Sequence, residues 1–277
     1  MKEEVIIRIR ELRQKGYSYR EIVRICKKSL RDVQKYSQNV NFNWEGQIRY
    51  SNLNGVRKKI KPQKKLTPIK ARLIAHLLFD GTVISTGFNR IIRYINSSPE
   101  LIEQFILDVE EIYGLKNPTI EENPERTYMR VSFGSVLAFR DLMTYFNSYS
   151  TSKKNIKIPK KIMESKGAIK KEFLKAFFED EGSITANGRL FGDLKNKNII
   201  YQLKDLLEEF DLKSKICTYS EPTGMMYKLY LPKRKENLEN FASLELFEKS
   251  RVSKGKNKGK FKQDVLFEAI KSFKKLK

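Results

Sequence analysis

Residues 70–82 and 171–183 of this 277-residue chain carry one pattern twice, related by an offset of 101. In register, Leu73 meets Leu174, Ala75 meets Ala176, Asp80 meets Glu181, Gly81 meets Gly182 and Thr82 meets Ser183. Each copy is an apolar run with helical spacing that ends in an acid, a glycine and a hydroxyl. Self-similarity of this kind means that one structural unit is used twice, each copy covering apolar surface the other cannot bury alone.

The pattern has a physical rationale. A small residue in mid-helix lets a second helix approach closely, so Ala75 and Ala176 can face each other across a tight crossing. Such a crossing brings the helix ends together and delivers Asp80 and Glu181 to one spot. An acid is electrostatically unwelcome at a helix C-terminus, and its occurrence there twice, in register, points to a chemical use. Hard oxygen ligands at that spot suit Mg2+, which activates water and stabilises a leaving 3′ oxygen. That chemistry needs no histidine. The runs LIAHLLFDG (73–81) and LKAFFEDEG (174–182), the second preceded by IPKKI and followed by SIT, resemble the motifs of LAGLIDADG homing endonucleases.

The text around the motifs reads as a common half-domain. After Gly81, alternating runs at 82–86 and 90–96 predict a hairpin, followed by an amphipathic helix at 99–113, strands at 118–122 and 126–133, and a helix at 135–146. The second half repeats the order, with strands at 183–186 and 189–193, a helix at 197–210, strands at 215–220 and 225–231, and a helix at 236–247. The expected fold is therefore α+β, αββαββα twice, which in the resembled family forms a saddle over DNA.

Charge supports that partner. Lys plus Arg number 56 against 33 Asp plus Glu, a net charge of +23 with the single histidine neutral. Such a surplus predicts an anionic polymer, because phosphates bound by Lys and Arg release counterions. Candidate groove residues on the hairpins are Arg90, Arg93, Arg126, Arg130, Arg189, Lys195, Lys213, Lys215 and Lys228, with Tyr94, Tyr128, Tyr219 and Tyr227 interleaved. Arginine reads guanine bidentately, whereas lysine mostly meets phosphate.

Scarce residues exclude other chemistries. One histidine cannot serve zinc hydrolases or most Ser-His-Asp designs, and His76, in mid-motif on an apolar helix, reads as a buried hydrogen-bonded residue. Cys26 and Cys217 lack CxxC spacing, which fits a reducing cytosol better than a zinc finger or disulfide scaffold. No stretch reaches the roughly 18 apolar residues of a spanning helix. A soluble cytoplasmic, nucleoid-associated protein is expected, free-standing and not an intein.

Residues 1–40 predict a small helix-turn-helix domain. Val5, Ile9 and Leu12 form one helical face, stopped by Gly16. Ser18 and Glu21 form a capping box ahead of Ile22, Val23 and Ile25. Ser29 then caps a third helix with Leu30 and Val33 inward and Arg31, Gln34 and Lys35 outward. The run ELRQKGYSYREIVRICKKSLRDVQKY resembles the resolvase-type helix-turn-helix, whose third helix enters the major groove. Residues 41–65, with Trp44 as a packing anchor and the basic run RKKIKPQKK, read as a linker. Residues 66–150 and 151–277 are the two repeats, the second ending in a mobile basic loop within EKSRVSKGKNKGKFK and an amphipathic helix at 263–276.

The resemblance implies a monomeric, site-specific endonuclease that hydrolyses both strands of duplex DNA across the minor groove and leaves short 3′ overhangs. It implies Asp80 and Glu181 as ligands of Mg2+ or Mn2+, with the carbonyls of Phe79 and Asp180 completing the shell. A lysine near the end of each half's last strand organises the attacking water in that family. Lys233 holds this position in the second half, with Lys235 as an alternative, and the first half offers only Gly134 and Ser135. The first motif also departs from the family, with Leu78 and Phe79 where the second has Glu179 and Asp180. The rival reading is a transcription regulator, as in the sporulation regulators that join such a core to a helix-turn-helix. An RNA maturase is a third.

Overall fold

Two serines set the local structure of the N-terminal unit. In the computed structural model, which describes residues 1–54, 63–87, 89–123, 125 and 128–274, helix α1 (Glu3–Gln14) is followed by Gly16 at a φ of 77°. Ser18 and Glu21 then close a reciprocal capping box on α2 (Tyr19–Cys26), and Ser29 caps α3 (Leu30–Ser37). Ile9, Leu12, Ile22 and Val33 form its core. Ile25 and Leu30, expected inside, are 47% and 46% exposed, because so small a bundle buries only one narrow stripe per helix. Residues 44–54, read as part of a linker, instead form helix α4 (Trp44–Asn54). Asn43 starts it by accepting from the Gly46 N–H at 2.8 Å. The side chain of Trp44 and most of the basic run that follows lie outside the described residues.

This N-terminal stretch, 1–63 with 113–115, is one compact unit, and residues 64–112 with 116–277 form the other. The second unit contains the repeat. Helix α5 (Pro68–Phe79), capped by Thr67 with Pro68 in its first turn, leads into strands β1 (Gly81–Thr86) and β2 (Asn89–Asn96). Helix α6 (Pro99–Tyr113), strands β3 (Thr119–Asn123) and β4 (Tyr128–Gly134) and helix α7 (Val136–Leu142) complete the half. A short helix α8 (Lys160–Met163) precedes α9 (Gly167–Asp180), after which come β5 (Gly182–Ile184), β6 (Leu190–Leu194), α10 (Lys197–Glu208), β7 (Lys215–Glu221), β8 (Gly224–Leu231) and α11 (Lys235–Ser243). Helix α12 (Lys262–Lys274) lies outside the repeat. The αββαββα order thus occurs twice. Both sheets are antiparallel and share one topology, β1-β2-β4-β3 and β5-β6-β8-β7.

Helices α5 and α9 pack on each other, and Ala75 and Ala176 are fully buried. Polar bonds fix their register. Arg72 of α5 holds Asp108 of α6 with a bidentate pair at 2.7 and 2.9 Å and also pairs with Glu172 of α9. Lys70, fully buried, pairs with Asp141 of α7 at 2.6 Å. Each strand leaving the crossing passes back over its own helix. A Cβ on Gly81 would lie 2.6 Å from Leu77 Cα, and one on Gly182 would lie 2.3 Å from the Phe178 carbonyl oxygen. That return path is why glycine follows the acid in both motifs.

The sheets alternate as half-buried sheets do. Ile92 and Tyr94 of β2 and Val131 and Phe133 of β4 point into the core, whereas Arg93, Arg130 and Ser132 take the other face. Tyr94, expected beside the groove arginines, is fully buried, because it falls on the inward parity of β2. The basic C-terminal stretch, expected to be a mobile loop, is a hairpin closed by an Arg251–Phe261 bridge and hydrogen bonds between Val252 and both Lys260 and Gly259. Among the described residues no helix is long and apolar enough to cross a membrane.

Gly182→Ala is expected to lower stability by about 2–3 kcal/mol, since backbone and not a flexible side chain must give way. Chemical unfolding measures it. A cost near that of an exposed helix substitution would show that the strand can shift freely.

Candidate active site

Asp80 is the C-terminal cap of α5 and Glu181 that of α9, so the packing of the two helices brings both acids to one cavity of about 340 Å³. Glu179, Asp180, Asn96 and Lys262 line the same cavity. Three of its four acids come from the second motif, because Leu78 and Phe79 hold the matching places in the first and point into the core. Asymmetry in sequence thus becomes asymmetry in charge.

Two of these acids are occupied by the protein. Asp180 accepts from the Tyr94 hydroxyl at 2.5 Å and lies 2.9 Å from His76 Nδ1. Glu179 accepts the backbone N–H of Lys249 at 3.0 Å. His76 therefore occupies the place of a missing polar partner across the helix pair. Burial alone would depress its pKa, but the carboxylates of Asp180, Glu179 and Asp108 outweigh that and raise it. Its Nε2 is buried without a hydrogen-bond partner, 3.9 Å from Glu179.

The other two acids are less engaged. Asn96 Nδ2 donates to Asp80 at 3.2 Å, and the Glu181 carboxylate has no hydrogen-bond partner among the described residues. Burial, then the Asp180 charge, push Asp80 up to about 7. Burial and the charges of Asp80, Asp180 and Asp193 raise Glu181 well above the usual carboxylate range. Among the described residues no three acidic, His or Cys side chains are grouped to hold a metal by themselves. Two under-engaged carboxylates from different helices do match the mode in which Mg2+ keeps most of its water and takes one or two carboxylates plus substrate phosphate oxygens.

Lys233 does not line this cavity. It follows β8, where its ammonium lies 5.2 Å from the centre of the Phe273 ring, and it borders a second hollow of about 450 Å³ with Arg189 and Lys228. Three basic residues line the acid cavity, Arg251, Lys254 and Lys262. Lys254 is exposed and Arg251 pairs with Glu100, whereas Lys262 is 7% exposed and its Nζ donates to the carbonyls of Glu179 at 2.9 Å and Phe178 at 3.4 Å. Burial lowers its pKa to about 8 against the opposing pull of the four acids. Sequence reading missed it. The only signal was the start of the amphipathic run at 263, and no local pattern says which cavity that helix end reaches.

The outer faces of the sheets carry four of the nine expected basic residues, Arg93, Arg130, Lys215 and Lys228, whereas Arg90 falls on the inward parity of β2 and Lys213 precedes β7. Arg93 donates to Ser132 at 3.2 Å, and Arg130 pairs with Glu121 at 2.9 Å on the neighbouring strand. In the second sheet the β7–β8 register puts Lys215 and Lys228 on one face, with Lys228 3.7 Å from Asp193 and over the rings of Phe191 and Tyr219. Arg90, at the start of β2, bonds the Gly87 carbonyl at 2.8 Å, and Arg189 and Lys195 flank β6, both exposed. Arg126 lies outside the described residues. In the N-terminal unit Arg31, Gln34 and Lys35 are all exposed along α3.

No family model matches this sequence, and no curated protein does. Solved structures match. The chain is similar to mesophilic variants of the homing endonuclease I-DmoI at a TM-score of 0.51 and 16% identity, over 66% of this chain and 97% of that one. It has the LAGLIDADG fold. I-DmoI in complex with DNA and Mn matches at 0.50 and 16% identity, over 68% of this chain and all of the other. Full-length DUF199/WhiA from Thermatoga maritima also matches, at 0.50 and 14% identity, over 78% of this chain and 63% of that one. At such identities the likeness establishes the LAGLIDADG fold and no more.

The acid cavity makes a pH prediction. Asp80 has a folded pKa near 7 against a reference of 3.8, so the native state binds the extra proton and stability falls as pH rises through that window. His76, raised above 6.5, acts in the same direction, because stability present below its unfolded pKa is lost as pH rises through the folded one. Lys262, lowered to about 8, opposes them only at higher pH. Unfolding midpoints should therefore drop between about pH 5 and pH 7, and the drop should shrink by a few kcal/mol at most in Asp80→Asn. An identical pH profile for the variant would mean that Asp80 titrates like an exposed acid.

Proposed function

We propose that this protein is a site-specific double-stranded DNA endonuclease of homing type that depends on Mg2+ or Mn2+. The observation that carries the reading is the meeting of Asp80 and Glu181, one from each repeat, in a single cavity at the ends of two packed helices. A protein that only bound DNA would have no use for two buried, mutually repelling carboxylates at that spot. Asp80 and Glu181 would hold the metal, which when bound supplies Lewis-acid stabilisation of charge on the scissile phosphate and favours ionisation of water.

The chain's own groups do the rest. Asn96 donates to Asp80 and, at 3.4 Å, to Asp180, and Tyr94 with His76 holds Asp180 in place beside the two ligands. The outer sheet faces, with Arg93, Arg130, Lys215 and Lys228 and the flanking Arg90, Arg189 and Lys195, would meet phosphates and base edges. DNA must first displace the Glu121 and Asp193 carboxylates from Arg130 and Lys228. That exchange favours sequences able to replace both pairs. The exposed Arg31, Gln34 and Lys35 of α3 would add a second reading element, carried by the N-terminal unit that also contains α4. Lys233 is left out of the catalytic set because its ammonium lies over Phe273.

A regulator with a silent core is the second reading, favoured by that same absence of a strand-end lysine from the acid cavity. The two separate in one experiment. Supercoiled plasmids carrying a library of sites are incubated with wild type, Asp80→Asn and Asp80→Asn/Glu181→Gln, in Mg2+ and in Ca2+. Linear product with wild type in Mg2+ alone, reduced at least about 100-fold in both variants while DNA binding persists, is expected. Selective binding without cleavage in any metal would establish the regulator instead.

A further inference from the structure

The buried ammonium in the acid cavity comes from outside the repeats. Lys262 opens α12, and its backbone N–H donates to the Ser250 carbonyl at 2.9 Å. That bond, the Arg251–Phe261 bridge and the bidentate contact of Arg251 with Glu100 close the base of the lysine-rich hairpin. The hairpin base thereby pins the start of α12 at the C-terminal end of α9. An ammonium has three donors, and Lys262 uses two on the carbonyls of Glu179 and Phe178. Among the described residues its third N–H meets no acceptor, and it makes no direct ion pair with Asp80, Glu179, Asp180 or Glu181, although all four act on its charge.

Buried charges persist where opposite charge compensates them. Four acids line one cavity, and Lys262 is the buried cation that this chain places among them, with Arg251 and Lys254 also on the lining. We infer that Lys262 is a resident counter-cation of the acid cavity, and that it sets how tightly a divalent metal binds there. The inference rests on the reading of Asp80 and Glu181 as a metal site. Beyond capping α9 through its two carbonyl bonds, Lys262 lines the same cavity as the four acids. A fixed positive charge beside a metal site repels the incoming ion, so its removal should tighten metal binding by on the order of tenfold or more. In this protein the C-terminal extension, through the anchored hairpin, would keep the metal weakly held until DNA phosphates arrive as further ligands.

The test is calorimetric titration of MnCl2 into the full chain without DNA, at about pH 7.5. Wild type is compared with Lys262→Gln, Lys262→Met, Lys262→Arg and Asp80→Asn, with folding checked by circular dichroism. The two neutral variants are expected to bind Mn2+ at least about tenfold more tightly than wild type, and Lys262→Arg to restore the wild-type affinity. Folded neutral variants with unchanged or weaker affinity would overturn the counter-cation role and leave the metal site standing. No Mn2+ binding by wild type or by any variant would remove the metal reading and this inference together. If the neutral variants do not fold, Lys262→Gln/Glu179→Gln removes one charge of each sign. Recovery of folding in that double variant supports the role, and failure to recover overturns it.

Discussion

The close packing of α5 on α9 is the contact on which the rest of this molecule depends. Two apolar helices with buried alanines at matched positions give each repeat the partner surface that neither supplies for itself. The same approach determines where the helices end and forces each outgoing strand back across its own helix, where a side chain does not fit. Acid, then glycine, is therefore a single geometric unit. The glycine permits the return, and the acid is left at the lip of the crossing, where its partner from the other repeat also lies.

Pseudo-symmetry of the backbone does not extend to the electrostatics. The second motif contributes Glu179, Asp180 and Glu181, and the first contributes Asp80 alone. The fold balances this unevenness with groups that have no counterpart across the pseudo-axis. His76 and Tyr94, from the first repeat, hold Asp180, the Lys249 backbone holds Glu179, and Lys262 from beyond both repeats adds positive charge. Two acids remain under-engaged, one from each helix. A symmetric reading of the motif finds those two, and the asymmetric surroundings decide what state they are in.

Shared folds do not settle chemistry, and here the neighbours include both an endonuclease and the DUF199/WhiA protein. What bears on the choice is local. The Asp80 and Glu181 pair supports the proposed hydrolysis, whereas Lys233 lies over Phe273 and does not line the cavity. The sheet faces tell a parallel story. Two of their basic residues, Arg130 and Lys228, are paired with carboxylates on adjacent strands, so that part of the positive charge is masked.

Much of this was legible from the residues themselves. The repeat, the strand order, the serine caps and the pair of acids are local or periodic signals, governed by helix geometry, capping and the two-residue period of a strand. The burial of His76 was legible as well, from its place in an apolar run. Errors arose where burial depends on size or parity: Ile25 and Leu30 sit on a bundle too small to cover them, and Tyr94 falls on the inward side of β2. What no local pattern carried was the meeting of segments far apart in sequence, such as Asp180 with His76, Arg251 with Glu100 and Lys262 with the acid cavity. Sequence by itself determined that two acids would be brought together by two helices. Only the tertiary structure decided which buried cation would sit beside them, because the place of the Lys262 ammonium is set by where α12 packs and not by the residues next to it.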